Sequence, residues 1–132
     1  MDVVAATPKG YEPNANIVAK AQAASKETGA TISTTNDPLE AVAHADVIYT
    51  DVWASMGFEE EQKEREQAFA PFQVNENLVQ AAKSDFIFLH CLPAHREEEV
   101  TSTVIDGPHS YIYDQAENRL HAQKAILISL LT

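Results

Sequence analysis

The sequence predicts an α/β fold, with a parallel sheet covered by helices on both faces and a further helix at the C-terminus. Short apolar segments alternate with segments of helical periodicity along the 132 residues, as in the strand–helix units of a parallel sheet. The most apolar segment, residues 85–92, is continuous in apolar character rather than alternating, which is typical of strands buried on both faces. We therefore expect an α/β domain over residues 1–113 and a C-terminal helix over residues 114–132.

Three strands and two helices are predicted in the first part of the chain. Apolar residues at helical spacing predict a helix over residues 14–28, and Gly29 follows as its C-terminal stop. Asp37 and Pro38 have the N-cap and first-turn positions of a short helix that ends near Ala45. The strands are predicted from apolar and β-branched runs at residues 3–6, 31–35 and 46–51.

Three helices and two strands are predicted in the rest of the chain. Residues 59–69 form a highly charged helical segment in which opposite charges lie four residues apart. Asn75 is in position to cap a second helix. The charge pairs are Glu59 with Lys63 and Glu61 with Arg65. The remaining elements are strands over residues 85–92 and 111–113 and a helix over residues 116–131.

The charge balance limits the classes of partner. Nine Lys and Arg residues against twenty Asp and Glu residues give a formal net charge of −11, and the basic residues are scattered. Such a chain repels nucleic acid and anionic lipid, so we expect neither a nucleic-acid nor a membrane partner. The longest apolar run, residues 125–131, is also far shorter than the ~20 residues of a membrane span. A cationic small molecule fits this charge better.

Cysteine use predicts a cytoplasmic location. Cys91 is the single cysteine of the sequence, which excludes an internal disulfide and a cysteine-rich zinc site and is ordinary in a reducing compartment. The residues after Met1 lack the basic and then apolar pattern of a signal peptide. The four glycines form neither a G-x-G-x-x-G motif nor a P-loop, so nucleotide binding by those motifs is not expected.

Reactive side chains are expected where two of the strands end. Residues 51–57 and 90–96 follow strands whose carboxyl ends, in an open α/β sheet, border the ligand crevice. If these strands are adjacent, Asp51 and Cys91 lie together at one edge of the sheet. The alternatives are structural, because an Asp at a strand exit often caps a turn and a Cys after an apolar strand is often a small buried hydrophobe.

A zinc site built from His90, Cys91 and His95 is a weaker alternative, since zinc accepts both nitrogen and sulfur ligands. Pro93 interrupts any regular presentation of these side chains, and a fourth ligand is not evident. The acidic segment at residues 59–66 is more typical of a solvated helix face than of a cation site.

Four segments resemble signatures of the ornithine carbamoyltransferase family. The most specific are Asp51-Val-Trp-Ala-Ser-Met-Gly57 and His90-Cys-Leu-Pro93, a pair that points to ornithine rather than aspartate as acceptor. The other two are Ala6-Thr-Pro-Lys-Gly-Tyr-Glu-Pro13 and Ala116-Glu-Asn-Arg119, which match in order and context. The resemblance covers nearly the whole chain, from about Asp2 to Leu131.

This resemblance implies a Rossmann-like domain that binds L-ornithine. The implied reaction joins L-ornithine and carbamoyl phosphate to give citrulline and phosphate, without a metal or organic cofactor, as a step of arginine metabolism. The intact family members are implied to be homotrimers. By the same resemblance, Asp51 and Ser55 hold the α-amino group of ornithine and the Met56 backbone holds its carboxylate.

The second signature is implied to contact the reacting groups. Cys91 and Leu92 approach the δ-nitrogen of ornithine and the carbamoyl group, and Arg119 contacts carbamoyl phosphate. A carboxylate such as Asp51 beside Cys91 raises the pKa of the thiol. The resemblance implies that Asp51 and Cys91 are the catalytic residues, and the raised pKa leads us to expect the thiol to be a polar contact or proton relay rather than a covalent nucleophile.

The sequence departs from the family by what it lacks. It contains no Ser-Thr-Arg-Thr phosphate motif, which belongs to the N-terminal domain of the family, and it lacks the opening strand and helix of the ornithine domain. We therefore expect an α/β domain that is incomplete at its N-terminal end, no main phosphate site, and no carbamoyl transfer by the chain alone. A further departure is Glu97, which stands where the family often has glycine.

The final helix packs against the missing domain in the family, so its apolar residues are expected to be exposed here and to favour self-association. These residues are Leu120, Ile126, Leu127, Leu130 and Leu131.

Two other functions stay open from the sequence. One is a non-catalytic binding or regulatory module that keeps the crevice and senses an amino acid. The other is a carbamoyltransferase for a different diamine such as putrescine, although Ser55-Met56-Gly57 favours an amino-acid acceptor.

Overall fold

The computed structural model describes residues 1–54 and 61–131. Its strands are β1 (Val3–Ala6), β2 (Ile32–Thr35), β3 (Val47–Thr50) and β4 (Ile87–His90). Its helices are α1 (Ala15–Thr28), α2 (Pro38–Val42), α3 (Gln62–Phe69), α4 (Glu76–Val79), α5 (Ser102–Ile105) and α6 (Ile112–Leu131), with a 3₁₀ turn at Ala70–Phe72. Among the described residues, none of these helices combines the length and the apolar content needed to cross a bilayer.

The described strands pair in parallel, which confirms the α/β class predicted from the sequence. β1 pairs with β2, with Val3 opposite Ile32. β3 pairs with β4, with Val47 opposite Ile87. Each predicted strand in these four positions is present, although each is four residues long once the hydrogen-bonded pairing is defined. Within the described part of the chain, the four strands form two two-stranded sheets.

Local capping signals set the limits of the first two helices. The Asn14 side chain accepts hydrogen bonds from the backbone N–H groups at the start of α1, and Gly29 ends that helix in the left-handed region at φ 72°. Asp37 accepts from Leu39 N at 2.9 Å and so caps α2. The predicted extension of α2 to Ala45 is not present, because His44 adopts a positive φ of 60°.

The charged helix and the next one follow their predicted signals. α3 contains the expected ion pair, with Arg65 Nη2 3.0 Å from Glu61 Oε2. The other expected pair includes Glu59, which lies outside the described residues. The Asn75 side chain accepts from Leu78 N at 3.0 Å and caps α4.

The apolar core lies around the β3–β4 pair. Its most buried members come from β4 and from the segments that follow it, since Phe88 and Val100 have no exposed surface and Ile112 is 2% exposed. By contrast, α1 has no buried residue. The core residues are Val42, Ile48, Val74, Leu78, Phe86, Phe88, Val100, Val104, Ile105 and Ile112.

The predicted last strand at residues 111–113 is wrong. Among the described residues, this segment pairs with β4 only through an isolated bridge between Ser110 and Phe88. Helix α6 then begins at Ile112. Tyr111 O accepts a hydrogen bond from Gln115 N at 3.0 Å, which is the first helical turn. A buried Ile112 between the exposed Tyr111 and Tyr113 is compatible with a helix as well as with a strand. The division into domains at residue 113 stays a prediction, with α6 starting just before it.

Candidate active site

Asp51 and Cys91 lie at one edge of the β3–β4 sheet. In this parallel pair Thr50 is opposite His90, so the next residue of each strand emerges at the same carboxyl end. The Asp51 carboxylate lies near enough to the Cys91 thiol to raise the pKa of the thiol. The expectation that these two side chains share an edge is confirmed. One Asp51 oxygen also accepts a hydrogen bond from the backbone of the next residue, Val52 N, at 2.8 Å.

The surroundings of Cys91 favour the neutral thiol. The residue is exposed, yet the protein around the sulfur removes part of its water, and this desolvation is the largest cause that raises the pKa of the Cys91 thiol. The hydrogen bond and the negative charge of Asp51 raise this pKa further, while the Tyr49 hydroxyl opposes them. Desolvation likewise raises the pKa of Tyr49. The edge therefore holds two proton-bearing groups beside one carboxylate.

A pocket of about 450 Å³ extends from this edge to helix α6. It brings Cys91 together with Arg119, although the two residues lie on different elements and are 28 positions apart in the numbering. Arg119 is the one cationic side chain among the described residues that line the pocket. The lining consists of Tyr49, His90, Cys91, Gln115, Ala116, Asn118, Arg119 and Ala122. Ser55 and Met56, which the family resemblance assigns to ornithine, lie outside the described residues.

Gln115 joins the two strands to α6. Its side-chain oxygen accepts from His90 N at 3.0 Å, and its side-chain nitrogen donates to the Tyr49 hydroxyl at 3.1 Å. Both hydrogen bonds lie beside the pocket, so they fix the position of α6, and hence of Arg119, relative to the sheet edge. Sequence patterns do not identify Gln115, because nothing in its spacing marks contacts with residues far away in the chain.

A buried His–Glu pair supports the loop that follows β4. Leu92 N–H donates to His90 Nδ1 at 2.9 Å, which assigns the proton of the imidazole to Nε2. That nitrogen lies 3.2 Å from Glu99 Oε1 and donates to it. Neither side chain has exposed surface. Sequence reasoning missed Glu99, because its partner is nine residues away across a loop without periodicity.

The weaker zinc hypothesis for His90, Cys91 and His95 is wrong. Both ring nitrogens of His90 already make hydrogen bonds within the protein, so His90 has no lone pair to give to a metal. The loop instead uses His90 to hold Leu92, whose φ of 56° lies in the left-handed region that few residues adopt. The Leu92–Pro93 peptide bond is cis. The left-handed φ of Leu92 is typical of a functional loop held by its surroundings.

A second cavity, of about 420 Å³, lies at the other end of β4 beside Phe86 and His109. His109 stacks on the Phe86 ring with the ring centroids 4.5 Å apart. Ligands of open α/β sheets bind at the carboxyl ends of the strands, and this cavity lies before the amino end of β4. None of the residues that the sequence singles out as functional lines it.

Comparison with known proteins identifies the chain's relatives. The family model for "Aspartate/ornithine carbamoyltransferase, Asp/Orn binding domain" matches residues 1–130. An ornithine carbamoyltransferase of Halalkalibacterium halodurans is 66% identical over 131 residues, which cover 99% of this chain and 41% of that protein. One of Anoxybacillus flavithermus is also 66% identical over 131 residues, which cover 99% of this chain and 42% of that protein.

The solved structures agree with the sequence comparison. The ornithine carbamoyltransferase of Pyrococcus furiosus has a TM-score of 0.91 and 60% identity, over 96% of this chain and 40% of that one. The chain therefore spans about two-fifths of the length of the relatives that it matches.

Proposed function

The chain belongs to the aspartate/ornithine carbamoyltransferase family, as the match over residues 1–130 shows, and we propose that it is the acceptor-binding part of an ornithine carbamoyltransferase. The proposed reaction transfers the carbamoyl group of carbamoyl phosphate to L-ornithine, with citrulline and phosphate as products. The relatives with this name are more than twice as long as the chain. Activity is therefore proposed for the chain together with the polypeptide that supplies the phosphate-binding domain.

The observation that carries this proposal is the arrangement of charge around the Cys91 edge. Asp51 gives the edge a negative charge that attracts an ammonium group, and Arg119 brings a positive charge to the same pocket. Ornithine carries the ammonium, and carbamoyl phosphate carries the negative charge. The distribution of charge thus supports an ammonium group near Asp51 and an anionic group near Arg119.

The chemistry of the acceptor supports a role for Asp51 and Cys91 in handling a proton. An alkyl ammonium like that of lysine has a pKa of roughly 10.4, so the δ-nitrogen must lose a proton before it attacks the carbamoyl carbon. The raised pKa of Cys91 keeps its sulfur protonated at neutral pH, which disfavours covalent catalysis by the thiolate. We assign the thiol to a polar contact or proton relay beside Asp51.

The remaining rate enhancement is assigned to orientation and to electrostatic stabilisation. The Leu92 backbone is fixed by His90, and Arg119 is fixed indirectly by the Gln115 hydrogen bonds. Rigid groups of this kind hold two substrates in reacting geometry and stabilise charge that develops on the carbamoyl oxygen. Ser55 and Met56 retain their proposed contacts with the α-amino and carboxylate groups of ornithine.

The proposal is tested by ornithine binding and by complementation. We expect calorimetry to detect L-ornithine binding to the chain, with at least tenfold weaker binding to the Asp51→Asn variant. Asp85→Asn is the matched control, because Asp85 lies before β4, at the end opposite to Cys91. The chain alone is expected to form no citrulline above background. Citrulline should form when the chain is mixed with the separately produced remainder of the Halalkalibacterium halodurans relative.

Other outcomes identify the competing functions. Ornithine binding without recovered activity would favour a non-catalytic amino-acid sensor. Preference for putrescine over ornithine would favour a different diamine as acceptor. Citrulline formation by the purified chain alone would contradict the expected dependence on the phosphate-binding domain.

We further propose that the protein acts in the cytoplasm as part of arginine metabolism, in a trimeric enzyme. The free Cys91 supports a reducing compartment. The net charge of −11 supports the absence of nucleic-acid and membrane partners.

A further inference from the structure

The loop after β4 gathers one imidazole and two carboxylates outside the pocket. His95 Nδ1 lies 3.6 Å from Glu98 Oε2 and 4.0 Å from Glu99 Oε2. These ligand atoms all lie within 4.8 Å of one another. We propose that His95, Glu98 and Glu99 form a binding site for a first-row divalent cation, with zinc as the preferred ion.

The buried Glu99 carboxyl group points to a missing ligand. Its Oε1 accepts two hydrogen bonds, from His95 N at 2.6 Å and from His90 Nε2 at 3.2 Å. Its Oε2 is buried and accepts no hydrogen bond from any described residue. A buried oxygen left without a partner costs about 1–3 kcal/mol. A cation between Oε2 and His95 Nδ1 would satisfy this oxygen.

The spacing of the ligand atoms suits a small cation. Zinc bonds nitrogen and carboxylate oxygen at about 2.0–2.2 Å, which separates tetrahedral ligand atoms by roughly 3.3–3.6 Å. The separation of 3.6 Å between His95 and Glu98 is already close to this value. The side chains of His95 and Glu98 are 50% and 41% exposed, so both can move by the roughly 0.5–1.5 Å that closing the longer separations, of 4.0 Å and at most 4.8 Å, requires. Solvent has access to complete the coordination.

Neighbouring charges are directed away from this group. Arg96 pairs with Asp106, with Nη2 to Oδ1 at 2.7 Å, so its positive charge is held elsewhere. Glu97 accepts from Ser102 N and Oγ at 2.9 and 2.7 Å. The Arg96 guanidinium and the Glu97 carboxylate are therefore paired with groups outside this cluster. His95, Glu98 and Glu99 are left to bind a cation together.

The backbone around the site is fixed before any ion binds. The Gln73 side chain donates to Glu98 O at 2.8 Å, and Val74 N donates to Glu99 O at 2.9 Å. Ligands held on a fixed backbone lose little conformational entropy on binding. Imidazole with carboxylate suits zinc, whereas magnesium prefers an octahedral shell of oxygen. The donor set therefore favours zinc over magnesium.

Calorimetric titration with zinc chloride tests the site in the full chain. The parent protein and all variants in this titration carry Cys91→Ser, so that the exposed thiol does not contribute a ligand. We expect one zinc per chain, and at least tenfold weaker binding after His95→Asn or Glu98→Gln. His121→Asn is the matched control, because His121 lies 3.4 Å from Glu117 on α6 without a buried carboxylate beside it. This variant should bind zinc as the parent does.

The spectrum of bound cobalt provides a second readout. Cobalt chloride should give visible bands of tetrahedral or five-coordinate nitrogen and oxygen ligation in the parent, and these bands should be lost in the His95→Asn variant. Circular dichroism checks that each variant is folded. Equal zinc affinity in parent, His95→Asn and Glu98→Gln proteins would overturn the proposal. An equal loss of zinc affinity in the His121→Asn control would also overturn the proposal. Displacement of zinc by equimolar magnesium chloride would overturn it as well. None of these measurements requires ornithine binding or carbamoyl transfer.

Discussion

At the residue scale, Cys91 has a thiol whose pKa depends first on partial desolvation and then on the Asp51 carboxylate. Partial desolvation and the adjacent carboxylate raise the pKa of the thiol. The thiolate is therefore scarcer at a given pH than in a solvated cysteine. Any function that needs the thiolate is suppressed near neutral pH, while a function that needs a donor S–H group is retained.

Alkylation by iodoacetamide measures this effect. We expect the rate of Cys91 alkylation to rise with pH through a midpoint above the ordinary value of about 8.5 for cysteine. Asp51→Asn removes the charge that raises the pKa, so its midpoint should move to lower pH and its rate at pH 8 should increase about two- to fivefold. Asp85→Asn should alkylate as the parent does. An unchanged midpoint in Asp51→Asn would contradict the assignment of this carboxylate as a cause of the shift.

Glu97 is a second residue whose environment explains a departure from the family pattern. Its φ of 67° lies in the left-handed region, where glycine carries no steric penalty. The resemblance to a family with glycine at this position therefore has a conformational reason. The Glu97 carboxylate offsets part of this strain, because Ser102 donates two hydrogen bonds to it. The same contacts lower the pKa of Glu97.

Two substitutions separate strain from hydrogen bonding at this position. Glu97→Ala loses the bonds to Ser102 and keeps the strained backbone, whereas Glu97→Gly loses the bonds and relieves the strain. We expect Glu97→Ala to have the lower Tm of the two by a few degrees in thermal unfolding. A Tm for Glu97→Ala equal to or above that of Glu97→Gly would show that the left-handed backbone costs little at this site.

At the element scale, the elements that the sequence predicts well are those with local signals. Asn14, Gly29, Asp37 and Asn75 cap or end helices through contacts within a few residues, and such contacts are visible in the sequence itself. The edge shared by Asp51 and Cys91 was also predictable, because adjacent parallel strands place their exits together.

Other features depend on contacts that local patterns do not encode. The Tyr–Ile–Tyr alternation at residues 111–113 resembles a strand, but burial of Ile112 against the core and the hydrogen bond from Gln115 to Tyr111 make it the start of α6. The His90–Glu99 pair joins the end of β4 to a later turn. In both cases tertiary packing decides the outcome.

Helix α6 presents the exposed apolar residues that the sequence predicts. Leu120, Ile126 and Leu127 are 58%, 58% and 57% exposed, and Leu130 and Leu131 are still more exposed. Contiguous apolar surface of this kind favours association in water. We therefore expect the isolated chain to self-associate through α6.

Sedimentation over a range of concentrations tests the role of α6. The weight-average mass of the parent should rise well above 14.5 kDa at high concentration. A Leu127→Gln, Leu131→Gln double variant should remain closer to monomeric mass. Ile17→Gln is the control, because Ile17 is 61% exposed on α1, away from α6. A monomeric parent at every concentration would rule out this association.

At the scale of the whole molecule, the fold class follows from composition and periodicity, but the arrangement of the strands does not. Alternating strand and helix patterns predict parallel pairing without specifying which strands are adjacent. The described strands pair as β1 with β2 and β3 with β4, and the buried apolar residues gather around the second pair. The half that is best packed is thus the half that carries the candidate active site.

The position of Cys91 also has a practical consequence. It is the single cysteine of the sequence, its side chain is exposed, and it lines the pocket beside Arg119. A maleimide dye would therefore attach at one place on the native chain without prior mutagenesis. Because Cys91 lines this pocket, a bound ligand would shield the thiol, so the rate of labelling would report occupancy of the pocket.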